Sequence, residues 1–254
     1  MTCSRARLPG PSRWAGCVAV LLVAACQPQG SESPAPLQTG SADGSGTLEG
    51  FVRFSGDVLP QPTRVENSTD PSICGEMQDL EDLLVSTKNH GIMNVIVVVE
   101  GVPAEKTPPY QPSRLVLDNR ECRFVPHVSV LTLGSTIVAT NSDSVLHTEH
   151  YYGALGANAA LPSKGATVTT TANSTGMIVV KCDVHGWMQA FIRVDAHPFH
   201  AVTGVNGNFR IANVPPGTYR LEIWHEKLGR QEKTILIEAG QTQTIQVEYS
   251  QDSR

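Results

Sequence analysis

The sequence has 254 residues, 40% of them hydrophobic, and a formal net charge of -5. No basic run stands against this acidic balance, which sets nucleic acid aside as a partner. Beyond the first 25 residues no stretch approaches the roughly eighteen consecutive apolar residues that a membrane-spanning helix needs.

Residues 1–25 hold Arg5, Arg7 and Arg13, no acid, and then an apolar run through Val18, Val20, Leu21 and Leu22 that ends at Val23-Ala24-Ala25-Cys26. A basic start and an apolar run too short to span a bilayer read as a secretory signal. Small residues directly before a cysteine resemble the lipobox of bacterial lipoproteins. That resemblance makes Cys26 the lipidated start of the mature chain, and Gln27 after it implies an outer-membrane place in the cell envelope. Loss of residues 1–25 leaves 16 Lys and Arg against 24 Asp and Glu, a formal charge of -8. Residues 26–46 are mostly Ser, Gly, Pro, Ala and Gln; this tether has a root-mean-square reach of about 25 Å and would hold a folded body just off a membrane.

From Thr47 the pattern changes to short apolar or alternating runs bounded by Gly, Pro, Asn and Asp. Strands are expected at 48–54, 94–99, 114–117, 128–133, 136–140, 167–171, 177–181 and 190–194, then at 208–211, 218–224, 234–238 and 244–249. Their Val, Ile, Thr and aromatic content makes the chain all-β. A short helix is expected only over Met77–Leu84. About 200 folded residues fit two β-sandwiches better than one, and His197-Pro198-Phe199-His200 marks a boundary near residue 196.

Three cysteines remain in an oxidising compartment once Cys3 and Cys17 leave with the signal and Cys26 takes lipid: Cys74, Cys122 and Cys182. One pair forms and one thiol is left over. Only Cys182 has imidazole and thioether neighbours at regular spacing, in Cys182-Asp-Val-His185-Gly-Trp-Met188. That spacing reserves Cys182 for a metal and leaves Cys74 to pair with Cys122, although a Cys122–Cys182 pair stays open on the sequence alone.

A blue-copper centre takes two His and one Cys near a plane, with a weak axial Met, so a second His must come from elsewhere. Upstream, a strand with Pro126, a turn at Gly134 and a strand ending in Asn141 lead through Ser142 to His147-Thr-Glu-His150. Together with the CxxHxxM loop, these features resemble the cupredoxins, and most closely the amicyanin type. Over residues 120–195 the resemblance implies a Greek-key β-sandwich with one type 1 copper site. Its ligands would be His147, Cys182, His185 and Met188, with His150 at a non-ligand position. It also implies single-electron exchange with redox-protein partners through an exposed edge of His185. Soft sulfur and imidazole suit both oxidation states of copper, whereas Met is a poor ligand for zinc. The chain departs from the family at Thr148, where Asn often ties the ligand loops, and at Val180, often aromatic.

Near the C-terminus, Ala201-Val-Thr-Gly-Val-Asn-Gly-Asn-Phe209 and Asn213-Val-Pro-Pro-Gly-Thr-Tyr219 resemble the carboxypeptidase regulatory-like module. That implies a smaller prealbumin-like β-sandwich over residues 196–254, with no peptidase activity. Asn206-Gly207 reads as a tight hairpin, and Tyr219, Leu221 and Ile223 alternate onto one sheet face. Residues 47–119 are expected to be an N-terminal β extension, packed on the cupredoxin-like sandwich through the Cys74–Cys122 bridge. No Ser-His-Asp or paired-carboxylate pattern appears, and four ligands leave no open metal position, so an enzyme is not expected. The competing functions are a copper carrier or sensor, and a surface-binding lipoprotein acting through its C-terminal sandwich.

Overall fold

The computed structural model describes residues 44–56 and 58–250. The expected signal, Cys26 and nearly all of the tether lie outside them. Among the described residues no helix is long and apolar enough to cross a membrane.

The chain is all-β. Along its first half run β1 (Gly46–Phe54), β2 (Arg64–Glu66), a one-turn helix α1 (Pro71–Cys74), β3 (Met77–Asp79) and β4 (Ile96–Glu100). Then follow β5 (Arg114–Arg120), β6 (Arg123–Val125), β7 (Val128–Thr132), β8 (Thr136–Asn141), β9 (His147–Gly153) and β10 (Ala157–Leu161). Next come β11 (Thr167–Thr171), β12 (Gly176–Lys181), β13 (Gln189–Asp195) and β14 (His200–Val202). The last four are β15 (Asn208–Val214), β16 (Gly217–His225), β17 (Gly229–Ile237) and β18 (Thr242–Tyr249).

Two sandwiches form, but not from consecutive halves of the sequence. Sheets ordered β10-β9-β12-β13-β7 and β11-β8-β5-β6 make one. Sheets ordered β15-β1-β18 and β14-β4-β16-β17 make the other. The second sandwich therefore takes β1 and β4 from the start of the chain, and the first is inserted between β4 and β14. This corrects the expected extension over 47–119: β1 runs parallel to β18 and β4 lies antiparallel to β16, whereas β5 belongs with β8. The physical reason is burial on both faces of β4. Val97 and Val99 join the core of Phe54, Phe199, Leu221, Ile223 and Tyr249, while Ile96 and Val98 pack against Val128 and Phe191 of the inserted sandwich. With period-2 alternation, one strand thus serves a core and an inter-sandwich seam.

The seam also carries polar ties. Arg193 on β13 reaches Asp195 at 2.8 Å, Glu222 at 3.1 Å and Glu100 at 3.5 Å. Phe191 meets Trp224 edge to face at 5.1 Å, worth about 0.5–1.5 kcal/mol beyond its buried area.

Two local expectations change. Residues 77–84 are not helical: Met77–Asp79 pairs with Arg64–Glu66, and Arg64 holds Asp79. The short helix lies earlier, where Pro71 fits a first turn that needs no N–H; its last N–H bond, Gly75 to Pro71 O, ends at Gly75 with φ 80°. Asn206-Gly207 joins β14 to β15, which lie in different sheets, so it is a crossover turn rather than a hairpin. Gly207 has φ 78°, and a Cβ there would meet Val52 O at 2.3 Å, so only glycine fits.

Candidate metal centre

Strands β9 and β12 lie side by side, with Lys181 opposite His150. That pairing sets His147, at the start of β9, beside Cys182, just past the end of β12. Before β9, Asn141 shapes the approach: its Nδ2 donates to Val145 O at 2.8 Å and Leu161 O at 2.9 Å, and its Oδ1 accepts from Asp143 N at 2.8 Å. After β12 the chain turns back on itself, with Met188 N–H donating to His185 O at 2.9 Å.

The ligating atoms of His147, Cys182 and His185 all lie within 4.8 Å of one another, and all three residues are buried. Cys182 Sγ is 3.6 Å from His185 Nδ1 and 4.0 Å from His147 Nδ1. It is the free cysteine of the described residues, because Cys74 and Cys122 form a disulfide. Met188 is buried in the same core as Cys182. A second cluster, Cys122, Asp143 and His147, offers no thiolate, since its cysteine is in the disulfide.

Each histidine turns its other nitrogen to a carboxylate. His147 Nε2 is 3.0 Å from Asp143 Oδ2, and His185 Nε2 is 3.2 Å from Asp70 Oδ2. Burial lowers the His147 pKa, partly opposed by Asp143. With each Nε2 beside an acceptor, the two Nδ1 atoms are left as lone pairs facing Sγ. Two imidazole lone pairs and a buried cysteine sulfur converging on one point make a soft donor set, which fits a copper ion.

The expected exposed edge of His185 is corrected: the ring is 0% exposed. Its outer nitrogen lies under α1, with Asp70 on one side and Cys74 Sγ at 3.7 Å on the other. Trp187 is half-buried; its indole donates to Cys122 O at 3.0 Å and its ring meets His185 at 5.1 Å. Thr148 ties the two ligand segments in its own way: its N–H points at Cys182 Sγ (3.4 Å) and its hydroxyl accepts from Asp183 N at 2.7 Å.

The remaining histidines lie outside this cluster. His150 shares Nδ1 with Asp183 and the Tyr152 hydroxyl, each at 2.9 Å, on the exposed side of β9. His200 is held by Asp195 at 2.8 Å. His127 bonds Glu226, whose carboxylate raises the His127 pKa against the opposing effect of burial. Sequence reasoning missed Asp70, Asp143 and Glu149. Glu149, wholly buried one strand position pair inward from His147, has its carboxyl pushed up to about 8 by burial and takes a bond from Asn119 Nδ2 at 2.6 Å. Only the Glu149 position carried a signal, an acid in a run that alternates inward.

No curated protein matches the chain. Among solved structures, a copper-containing nitrite reductase from Thermus scotoductus SA-01 is 20% identical over 37% of this chain and 25% of its own, with a TM-score of 0.30. A purple cupredoxin from Nitrosopumilus maritimus is 19% identical over 33% of this chain and 99% of its own, at 0.29. A Cu(I) amicyanin variant is 19% identical over 39% and 98%, also at 0.29. Likenesses of this size say nothing of what the centre holds. Residues 157–250, from β10 through β18, match the family model of the carboxypeptidase regulatory-like domain, to which this part of the chain is similar.

Proposed function

We propose that the chain holds one copper ion in a type 1 site and passes single electrons between redox proteins at the cell envelope, anchored through lipid on Cys26. The observation that carries this reading is the convergence of three buried residues, His147, Cys182 and His185, with ligating atoms within 4.8 Å of one another and both Nδ1 atoms within 4.0 Å of Cys182 Sγ. Copper bound there would supply a one-electron couple.

The protein's part is to hold the donors still. β9 and β12 fix two of them, the turn closed by Met188 N–H and His185 O fixes the third, and Thr148 joins the two segments. Met188 is placed by the same turn and would supply the weak axial contact that tunes the potential. A site made rigid by strands changes little between oxidation states, which favours fast exchange over metal delivery. Because His185 is covered, a partner would meet Asp70, whose side chain is 41% exposed and one hydrogen bond from the ring.

Voltammetry of the copper-loaded protein tests the reading against that of a carrier. A reversible one-electron wave with retained metal is expected. Rapid surrender of copper to a competing apoprotein, without a reversible wave, would instead make it a carrier.

A further inference from the structure

Both histidines of the centre are oriented by carboxylates, and both carboxylates are secured to one disulfide. Asp143 Oδ2 accepts from the backbone N–H of Cys122 at 2.9 Å and faces His147 Nε2 at 3.0 Å. Cys122 is bonded to Cys74. Cys74 N–H in turn donates to the carbonyl of Asp70 at 2.8 Å, and the Asp70 side chain faces His185 Nε2 at 3.2 Å.

Asp70 holds a left-handed backbone, φ 50° and ψ 44°, a conformation uncommon for residues other than glycine though aspartate is among those that adopt it more readily, and contacts on either side hold it there. Asn67 folds the approach, donating to Gly75 O at 2.7 Å and accepting from Thr69 N at 2.7 Å. The far end is pinned by the disulfide.

We infer that Asp70 is a positioning residue for His185, held on target by the Cys74–Cys122 disulfide, so that the disulfide acts on the metal centre through this carboxylate. The inference rests on the copper reading for its metal, though not for its geometry. His185 is fully buried, so no water can accept its Nε2–H. Among the described residues Asp70 Oδ2 is the oxygen placed to do so. With the proton fixed on Nε2, the Nδ1 lone pair stays directed at Cys182 Sγ, 3.6 Å away. Without Asp70, the ring is free to take the other tautomer or to rotate, and the donor set loses its aim.

The test uses the full chain loaded with one Cu(II), comparing wild type, Asp70→Ala, Asp70→Asn, the double variant Cys74→Ser with Cys122→Ser, and that double variant combined with Asp70→Ala. A chelator strips the metal while the visible band is followed. Asp70→Ala is expected to lose copper about 10-fold faster, and Asp70→Asn, whose amide oxygen still accepts, to stay near wild type. The disulfide-free variant, which also loosens Asp143 through Cys122, should lose copper at least as fast as Asp70→Ala, and adding Asp70→Ala to it should give much less than the product of the two effects, because they share the Asp70 contact. Wild-type behaviour of Asp70→Ala, or full multiplication of the two effects, would overturn the inference. Asp70→Ala alters a partly exposed side chain and decides the matter if the disulfide-free protein fails to fold. In the metal-free proteins, 15N shifts of the His185 ring should report one fixed tautomer in wild type and a mixture in Asp70→Ala. An unchanged tautomer overturns the inference. If wild type takes up no copper, the functional proposal falls and the ring shifts alone decide the role of Asp70.

Discussion

The backbone N–H of Asp183 donates to the hydroxyl of Thr148 at 2.7 Å, joining the residue after Cys182 to the residue after His147. One short side chain therefore fixes the distance between two strands at the point where their donors meet. Thr148→Val keeps the shape and removes the acceptor. A loss of about 1–2 kcal/mol in unfolding free energy is expected, together with a broadened thiolate-to-copper band; Thr148→Ser should preserve both. Denaturant unfolding and visible spectra read the two effects, and an unaltered Thr148→Val protein would remove the tie from the account.

The two sulfur residues should separate cleanly by substitution. Cys182→Ser is expected to abolish the visible band and redox cycling, since an alkoxide donor cannot replace the soft thiolate. Met188→Leu should keep copper bound and raise the reduction potential, because only the weak axial donor is lost. Spectra and voltammetry check both, and a coloured Cys182→Ser protein would refute the ligand assignment.

Residues 196–254 should not fold alone. In the β15-β1-β18 sheet the central strand is β1, and β4 lies between β14 and β16; both are outside that fragment. Removing them opens the core of Leu48, Val52, Val97 and Val99 and leaves unpaired strand edges. Circular dichroism of the fragment should lack a cooperative thermal transition. A folded fragment would contradict the inserted arrangement.

His225 makes stability depend on pH. Burial foremost, and then the nearby His127, depress its pKa from 6.5 to about 4, so the folded protein keeps the ring neutral where the unfolded chain would protonate it. Between those values the unfolded state binds more protons, and stability falls as pH drops from about 6.5 toward 4, by at most about 3 kcal/mol. His127 works in the opposite sense: its raised pKa adds stability at low pH that is lost as pH rises. His225→Gln isolates the first contribution, and its denaturation curves at pH 7 and pH 4.5 should differ less than those of wild type. An equal pH dependence in both proteins would assign the loss to other groups.

Legibility in the sequence followed the range of the interactions. The strands at 128–133, 136–140 and 167–171 were readable because alternation and turn residues are local. The partners of β1 and β4 were not, since Leu48–Phe54 and Asn94–Val99 look alike whichever sheet receives them, and their neighbours are more than a hundred residues away. At the centre, the closeness of Cys182 and His185 follows from their spacing in one turn. That of His147 depends on β9 lying beside β12, for which only the family resemblance spoke. Asp70 carried no signal at all: its role arises from a disulfide that brings residue 74 to residue 122, and a left-handed aspartate before Pro71 reads in sequence as an ordinary turn. Hence the cover over His185, the main departure from the expected exposed edge, has no local signal in the sequence.

The most direct measurement is a visible absorption spectrum of residues 44–254 titrated with Cu(II). An intense thiolate-to-copper band that saturates at one copper per chain is the predicted result. No band up to several equivalents, with the fold intact by circular dichroism, would contradict a copper centre at His147, Cys182 and His185.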